Sequence, residues 1–269
     1  ASTQVPVRIP YAEDLHEEML YYVFEWGDGT VAPSSLKRSG IHGFMEHRYE
    51  KPGRYNGRFR AVSIGGKTSD WSEFAVKVEG EAVEPKPMVA SLGAKSARPP
   101  KAYWDRQACE LKLDGYHALD QLKVRKQPGK PFPTHFRIEY SINGGETWQM
   151  LNTARCVFFP DPGSKEVVFS FNGVVADAVR LLTTRSTPGE AVAIGGMELT
   201  GSTELLFDCS ERGPLIAGLN NMWYAFGSAV NEIHLDYVTW GQSKRPFECG
   251  VSYMGNAEWM AWDALQFAW

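Results

Sequence analysis

The chain has 269 residues, of which 43% are hydrophobic and 22% charged, with a formal net charge of −4. That length buries one large core or about two to three smaller ones, and the balance is ordinary for a globular protein. The absence of a basic block argues against a nucleic-acid surface, and no apolar run reaches the roughly 18 residues of a membrane-spanning helix.

Nine Trp and an aromatic content of 13% sit beside 26 Gly and 16 Pro spread without a period. The pattern predicts many short strands joined by turns rather than a helical bundle. Trp fills sandwich cores, and it also packs against the apolar faces of pyranose rings. The chain opens on Ala1-Ser2-Thr3, with no Met, basic start or apolar stretch. A mature or trimmed N-terminus is expected to read this way.

The first segment runs to about residue 82. Met19–Trp26 is an aromatic, strand-like run that ends in Gly27-Asp28-Gly29, a turn signal. Phe59 and Ala61 alternate with Arg58 and Arg60, and Phe74, Val76 and Val78 with Ala75, Lys77 and Glu79. These spacings predict a small β-sandwich. Trp26-Gly27-Asp28-Gly29-Thr30, His47-Arg48-Tyr49 and Pro52-Gly53-Arg54-Tyr55 follow in that order. The order resembles the polycystic-kidney-disease-repeat family of immunoglobulin-like domains, with an added polar loop over 32–41. The resemblance implies a spacer or a contact module of a secreted enzyme. Asp28 reads as a turn former and His47 as a core residue beside Tyr49.

A charged, Pro-bearing stretch marks a linker at 83–87, and the second segment spans 88–201. Cys109, Leu111 and Leu113 alternate with Glu110, Lys112 and Asp114, and Leu122 with Val124, and Val167, Phe169 and Phe171, repeat the period. Phe136–Ser141 is a strand whose Arg137, Glu139 and Ser141 form its polar face. Asn143-Gly144-Gly145 then supplies a hairpin turn before Trp148. Glu110–Asp114 looks like a strand ending in a turn, and Gly144–Trp148 like a family hairpin. Ala178–Leu181 and Gly196–Leu199 look like closing strands. Together they resemble the discoidin (coagulation factor V/VIII C-type) family over roughly 110 residues. That resemblance implies a galactose-binding-like jelly roll. The early Asp-Gly-x-x-Thr-x-Trp stretch of that family is missing from 90–104.

The third segment, 202–269, is Trp-rich. Asn256 and Glu258 open a predicted helix carrying Trp259, Trp262 and Trp269. So apolar a helix needs a surface to pack on: either it docks on the preceding modules or, as the favoured expectation, the chain continues into a larger protein. The fold class expected is therefore mainly β: an immunoglobulin-like sandwich, a galactose-binding-like jelly roll and a mixed C-terminal segment ending in a helix.

No P-loop, GxSxG elbow or HExxH motif occurs, and the four Cys show no CxxC spacing. No cofactor and no metal is expected. Cys109 with Cys156, and Cys209 with Cys249, fit disulfides or buried thiols equally well. Two carboxylates are required for glycoside hydrolysis, and Glu232 and Asp236, with His234, alternate on one predicted strand face. Candidate glycan-binding residues are Tyr103, Trp104, Arg106 and His117, because sugar recognition needs a ring flanked by hydrogen-bonding groups on loops. The leading expectation is the N-terminal accessory region of a secreted, periplasmic or cell-surface bacterial glycoside hydrolase, with carbohydrate as its partner. The alternatives are a non-catalytic glycan- or protein-binding surface protein and a small complete glycosidase. The oligomeric state stays open.

Overall fold

The computed structural model describes residues 4–9, 19–40, 43–83, 86–93, 95–96, 99–185, 189 and 191–222, and these residues are mainly β. The N-terminal strands are β1 (Gln4–Ile9), β2 (Met19–Glu25), β3 (Thr30–Pro33), β4 (Lys37–Arg38), β5 (Gly43–Arg48), β6 (Gly53–Ser63) and β7 (Ser72–Val78). One sheet runs β3-β2-β6-β7, with β4 also on β2, and β1 pairs with β5 separately. Leu20, Tyr22, Phe24, Trp26, Tyr49 and Phe59 form a core on one face of β2 and β6. Trp26 is fully buried, stacked on Phe24 at 4.9 Å and on His47 at 4.5 Å. The stretch 32–41, expected as a polar loop, instead contains the end of β3 and all of β4. Val31 and Ala32 are buried on opposite faces, so packing decides the conformation there.

The second unit contains β8 (Met88–Leu92), β9 (Lys95–Ser96), β10 (Ala108–Lys126), β11 (Phe136–Ser141), β12 (Gln149–Cys156), β13 (Glu166–Ser170), β14 (Val175–Thr183) and β15 (Ala193–Ser202). The long β10 belongs to two layers. Its first half pairs with β14, beyond which lie β11 and β12. Its second half lies between β13 and β15, and β15 also pairs with β8 and β9. Cys109, Leu111, Leu122, Val124, Phe136, Ile138, Phe169, Val179, Leu181 and Leu199 fill the space between the layers. This is a jelly-roll sandwich. Glu110–Asp114 does not end in a turn, as the sequence pattern suggested. The strand continues through a register shift between Lys112 and His117, and this bulge lets it change layers. At the hairpin, Gly144 and Gly145 have φ of 71° and 91°, which only glycine adopts without a Cβ penalty.

The two units share a core. Strand β2 is buried on both faces: Tyr22 and Phe24 point into the Trp26 core, while Tyr21 and Val23 join the jelly-roll core with Val31 and Val62. The Tyr21 hydroxyl donates to the Val157 carbonyl at 3.0 Å. Strand β13 pairs with β3 in parallel through Glu166–Thr30 and Val167–Val31, so the sheet runs from one unit into the other. Around the linker, Val83 N–H donates to the Glu50 carbonyl and Gly201 N–H to that of Pro87. Lys86 reaches Asp120 at 2.9 Å.

Helix α1 (213–222) follows β15 and closes one end of the jelly roll. Ala217, Ile216 and Cys209 pack against Tyr116, Ala118, Ile142 and Val175. Gly213 lies against Tyr116 so closely that a Cβ would stand 2.7 Å from the ring. Pro214 sits in the first turn, where no amide donor is needed. Asn221 bonds both backbone groups of Val175, at 2.6 and 2.9 Å. Cys109, Cys156 and Cys209 are buried thiols. The Trp-rich helix expected after Asn256, the run 232–236 and Cys249 lie outside the described residues.

Candidate functional site

The loop over 99–107 is built to display two aromatic rings. Asp105 Oδ2 accepts the amides of Lys101 at 2.8 Å and Ala102 at 2.9 Å. Asp105 N–H donates back to the Ala102 carbonyl at 3.0 Å, closing the turn. Its carboxylate is thus committed to backbone, as expected of an Asx-type turn. The loop base is bolted to the sandwich: Gln107 N–H donates to Thr183 Oγ1 at 2.8 Å, and Gln107 Oε1 accepts from Val192 N–H at 3.1 Å. On this support Tyr103 is 48% exposed and Trp104 is 77% exposed. A ring held that far into solvent by a fixed turn contributes nothing to the core.

The Arg185 guanidinium lies 5.6 Å from the Tyr103 ring centroid, within cation–π range. Arg106, one residue beyond Asp105, is also exposed. Beside them His135 is buried, its Nδ1 paired with Thr134 Oγ1 at 2.9 Å and its ring edge-on to Phe158 at 4.5 Å. Burial pushes the His135 imidazole below its ordinary value, and the Arg185 charge adds to the effect. This histidine is therefore neutral near pH 7. The edge combines two open rings, two guanidinium groups and a fixed backbone. Such a set stacks on a sugar ring and donates hydrogen bonds to its hydroxyls.

Of the four glycan-binding candidates, the structure brings Tyr103, Trp104 and Arg106 together. His117 is elsewhere. It pairs with Ala176 at the far end of the β10–β14 ladder, whereas Gln107 bonds Thr183 at the near end. His117 is 7% exposed, and its Nε2 meets Asp114 Oδ1 at 2.8 Å. That bond holds the exposed Asp114 carboxyl below its usual range. His117 therefore stands beside the register shift of β10, apart from the loop that carries Tyr103 and Trp104. Glu232 and Asp236 lie outside the described residues. Sequence reasoning missed Arg185 and His135, because no spacing links them to Tyr103. Only pairing of the strands does.

Two other polar groups are structural. Asp28 Oδ1 accepts from the Thr30 amide at 3.0 Å, and Oδ2 meets His47 Nε2 at 2.6 Å. Glu139, on the polar face of β11, is only 2% exposed. It lies between Arg180 Nε at 2.6 Å and Arg137 Nη2 at 2.5 Å, and Trp148 stacks over Arg180 at 4.1 Å. Among the described residues no group of three or more His, Cys, Asp or Glu is placed to hold a metal ion. No described helix is long and apolar enough to cross a membrane.

No protein-family profile matches the chain, and no curated protein sequence does. Among solved structures, the chain is similar to the module CBM32-3 of a family 31 glycoside hydrolase from Clostridium perfringens. That match has 17% identity and a TM-score of 0.35, covering 40% of this chain and 75% of the other. It is also similar to chitosan-binding module 1 of a chitosanase/glucanase from Paenibacillus sp. IK-5, at 17% identity and TM-score 0.33, over 40% and 76%. The CBM32 of AlyQ, in complex with 4,5-unsaturated mannuronic acid, matches at 11% identity and TM-score 0.32, over 42% and 97%. The jelly-roll description rests on the strand pairing given above, and these partial superpositions add no residue to the site.

Proposed function

We propose that this chain binds carbohydrate through the loop over 99–107. In this reading it is an accessory region of a secreted bacterial carbohydrate-active enzyme. The N-terminal sandwich, similar in its motifs to polycystic-kidney-disease-repeat domains, acts as a spacer, and hydrolysis is assigned to other parts of the enzyme. The domains follow the boundaries read from the sequence: 1–82, a linker at 83–87, 88–201 and 202–269. The observation that carries the proposal is Trp104, 77% exposed beside the half-exposed Tyr103 on a turn fixed by Asp105. Surface Trp in a fixed loop costs apolar exposure, and stacking on a pyranose recovers it. Arg106 and Arg185 supply donors at the rim.

A glycan array probed with the wild-type chain and with Trp104→Ala tests this. The wild type binds a defined subset of glycans. Trp104→Ala weakens the best of them about ten-fold or more, equal to about 1.4 kcal/mol, with an unchanged thermal midpoint. Absence of glycan binding, or binding that Trp104→Ala leaves intact, overturns the proposal.

A further inference from the structure

A cleft of about 770 Å³ opens where the two β units meet, apart from the 99–107 loop. Ligand sites commonly measure about 300–1,000 Å³ and favour the junctions between units. Glu25, Asn56, Arg58, Glu73, Phe74 and Lys165 line it, with Gly27, Gly29, Gly57 and Ala75. Its position follows from strand parity. Glu25 shares a face of β2 with Tyr21 and Val23, and Arg58 shares a face of β6 with Arg60 and Val62. Tyr21, Val23 and Val62 are covered by the jelly roll. Glu25 and Arg58 continue that face past the covered part. Lys165 closes the cleft from the jelly-roll side, and it is fixed there by the Glu166 N–H bond to the Gly29 carbonyl at 3.1 Å and by the β3–β13 pairing.

The polar groups are held in place. Glu25 Oε2 accepts from Arg58 Nε at 2.7 Å, and Oε1 faces Lys165 Nζ at 3.4 Å. Arg58 also lies over the Trp71 ring at 4.3 Å, and Arg60 approaches the same ring at 4.6 Å. Arg58 is therefore clamped between a carboxylate and an indole. Its bond through Nε leaves the terminal amino groups for a ligand. Burial pushes the Glu25 carboxyl up, but the hydrogen bond from Arg58 and the nearby Lys165 outweigh it, and the net shift is downward.

The charges select the ligand class. The cations Arg58 and Lys165 stand against the carboxylates Glu25 and Glu73, so neither sign is in excess. An anionic ligand would meet Glu25 and Glu73 as well as the cations, and a cationic ligand would meet Arg58 and Lys165 as well as the carboxylates. A hydroxyl both donates and accepts, and it fits an alternating set of acceptors and donors without displacing either. Ala75 and the Cα groups of Gly27 and Gly29 present C–H surface to a sugar ring, while the Phe74 ring at the edge of the cleft packs into the Trp26 core. We propose that this cleft is a second carbohydrate subsite that takes an uncharged oligosaccharide and works independently of Trp104.

Affinity gel electrophoresis of the full chain tests it, with laminarin, galactomannan or hydroxyethylcellulose in the gel and polygalacturonate as the charged control. Trp104→Ala, Asn56→Ala/Glu73→Gln and Lys165→Ala are compared with the wild type. The expected result is that at least one neutral polysaccharide still retards Trp104→Ala, and that the double variant and Lys165→Ala each weaken this component about ten-fold. Asn56 and Glu73 are exposed, so thermal midpoints should match the wild type and report folding. The subsite is overturned if no neutral polysaccharide retards Trp104→Ala, if both cleft variants match the wild type, or if polygalacturonate is preferred in the Trp104→Ala background. The loop site fails separately, when Trp104→Ala leaves binding to every polysaccharide unchanged.

Discussion

Tyr21 tests whether the two units are one folding unit. Its ring is fully buried in the shared core, and its hydroxyl donates to the Val157 carbonyl. Burial, with Cys156 close by, pushes the phenol far above its ordinary value, so it stays a neutral donor. Tyr21→Phe keeps the ring and removes the bond, leaving the carbonyl short of a donor at a cost of about 1–3 kcal/mol. Tyr21→Ala removes the ring as well, at a cost of about 3–5 kcal/mol. Domain stability is typically about 5–15 kcal/mol, so the second change should bring the whole chain close to unfolding. Urea titrations followed by far-ultraviolet circular dichroism and by Trp fluorescence should coincide in one transition, shifted in both variants. Trp26 and Trp71 lie in one unit and Trp104 and Trp148 in the other, so the fluorescence signal draws on both. Two separated transitions, with Tyr21→Ala moving only one, would refute the shared core. So would a Tyr21→Ala cost below about 1 kcal/mol.

Burial raises the Asp28 carboxyl, but hydrogen bonds from His47 and Thr30 outweigh it, and its folded value lies below the ordinary one. Its contribution is therefore full above the unfolded value of about 3.9 and is lost as pH falls through the folded value. Asp28→Asn should flatten that acid limb in stability–pH curves, and an unchanged limb would count against the pairing. Glu139→Gln strips the charge that faces Arg137 and Arg180, and should cost about 3–5 kcal/mol in urea unfolding. A cost near zero would mean that the network is solvated. Asn221→Ala removes both bonds to Val175, and should speed amide hydrogen exchange over 213–222 while leaving the β11–β14 ladder protected. Burial pushes the Cys156 thiol up, so peptide mapping should find Cys156 unlabelled by a thiol reagent in the native state and labelled in urea.

The strand content was legible because period-two alternation is local. Phe136 and Ile138 point inward as their spacing predicts, and Gly144 and Gly145 take the turn that Asn143-Gly144-Gly145 announces. His47 against Tyr49, edge-on at 4.6 Å, was legible for the same reason. The exposed pair Tyr103 and Trp104 stood out by residue type in a loop without periodicity. Alternation stopped being informative where a second surface intervened. It marks Arg137, Glu139 and Ser141 as one polar face, but Glu139 and Ser141 are buried, and local alternation cannot show that Arg180 arrives from β14.

Sequence alone determined that this chain is mainly β, where most strands and the hairpin lie, and which aromatic residues stand in a loop. These follow from backbone propensities and from spacings of a few residues. Tertiary structure decided what those strands share. The alternation in β2 says that its side chains point two ways, but only the parallel contact of β13 with β3 shows that both ways lead into a core. The same contact sets Lys165 opposite Glu25 and forms the junction cleft. Burial and cleft formation depend on which distant segments meet, and no spacing along the chain records that.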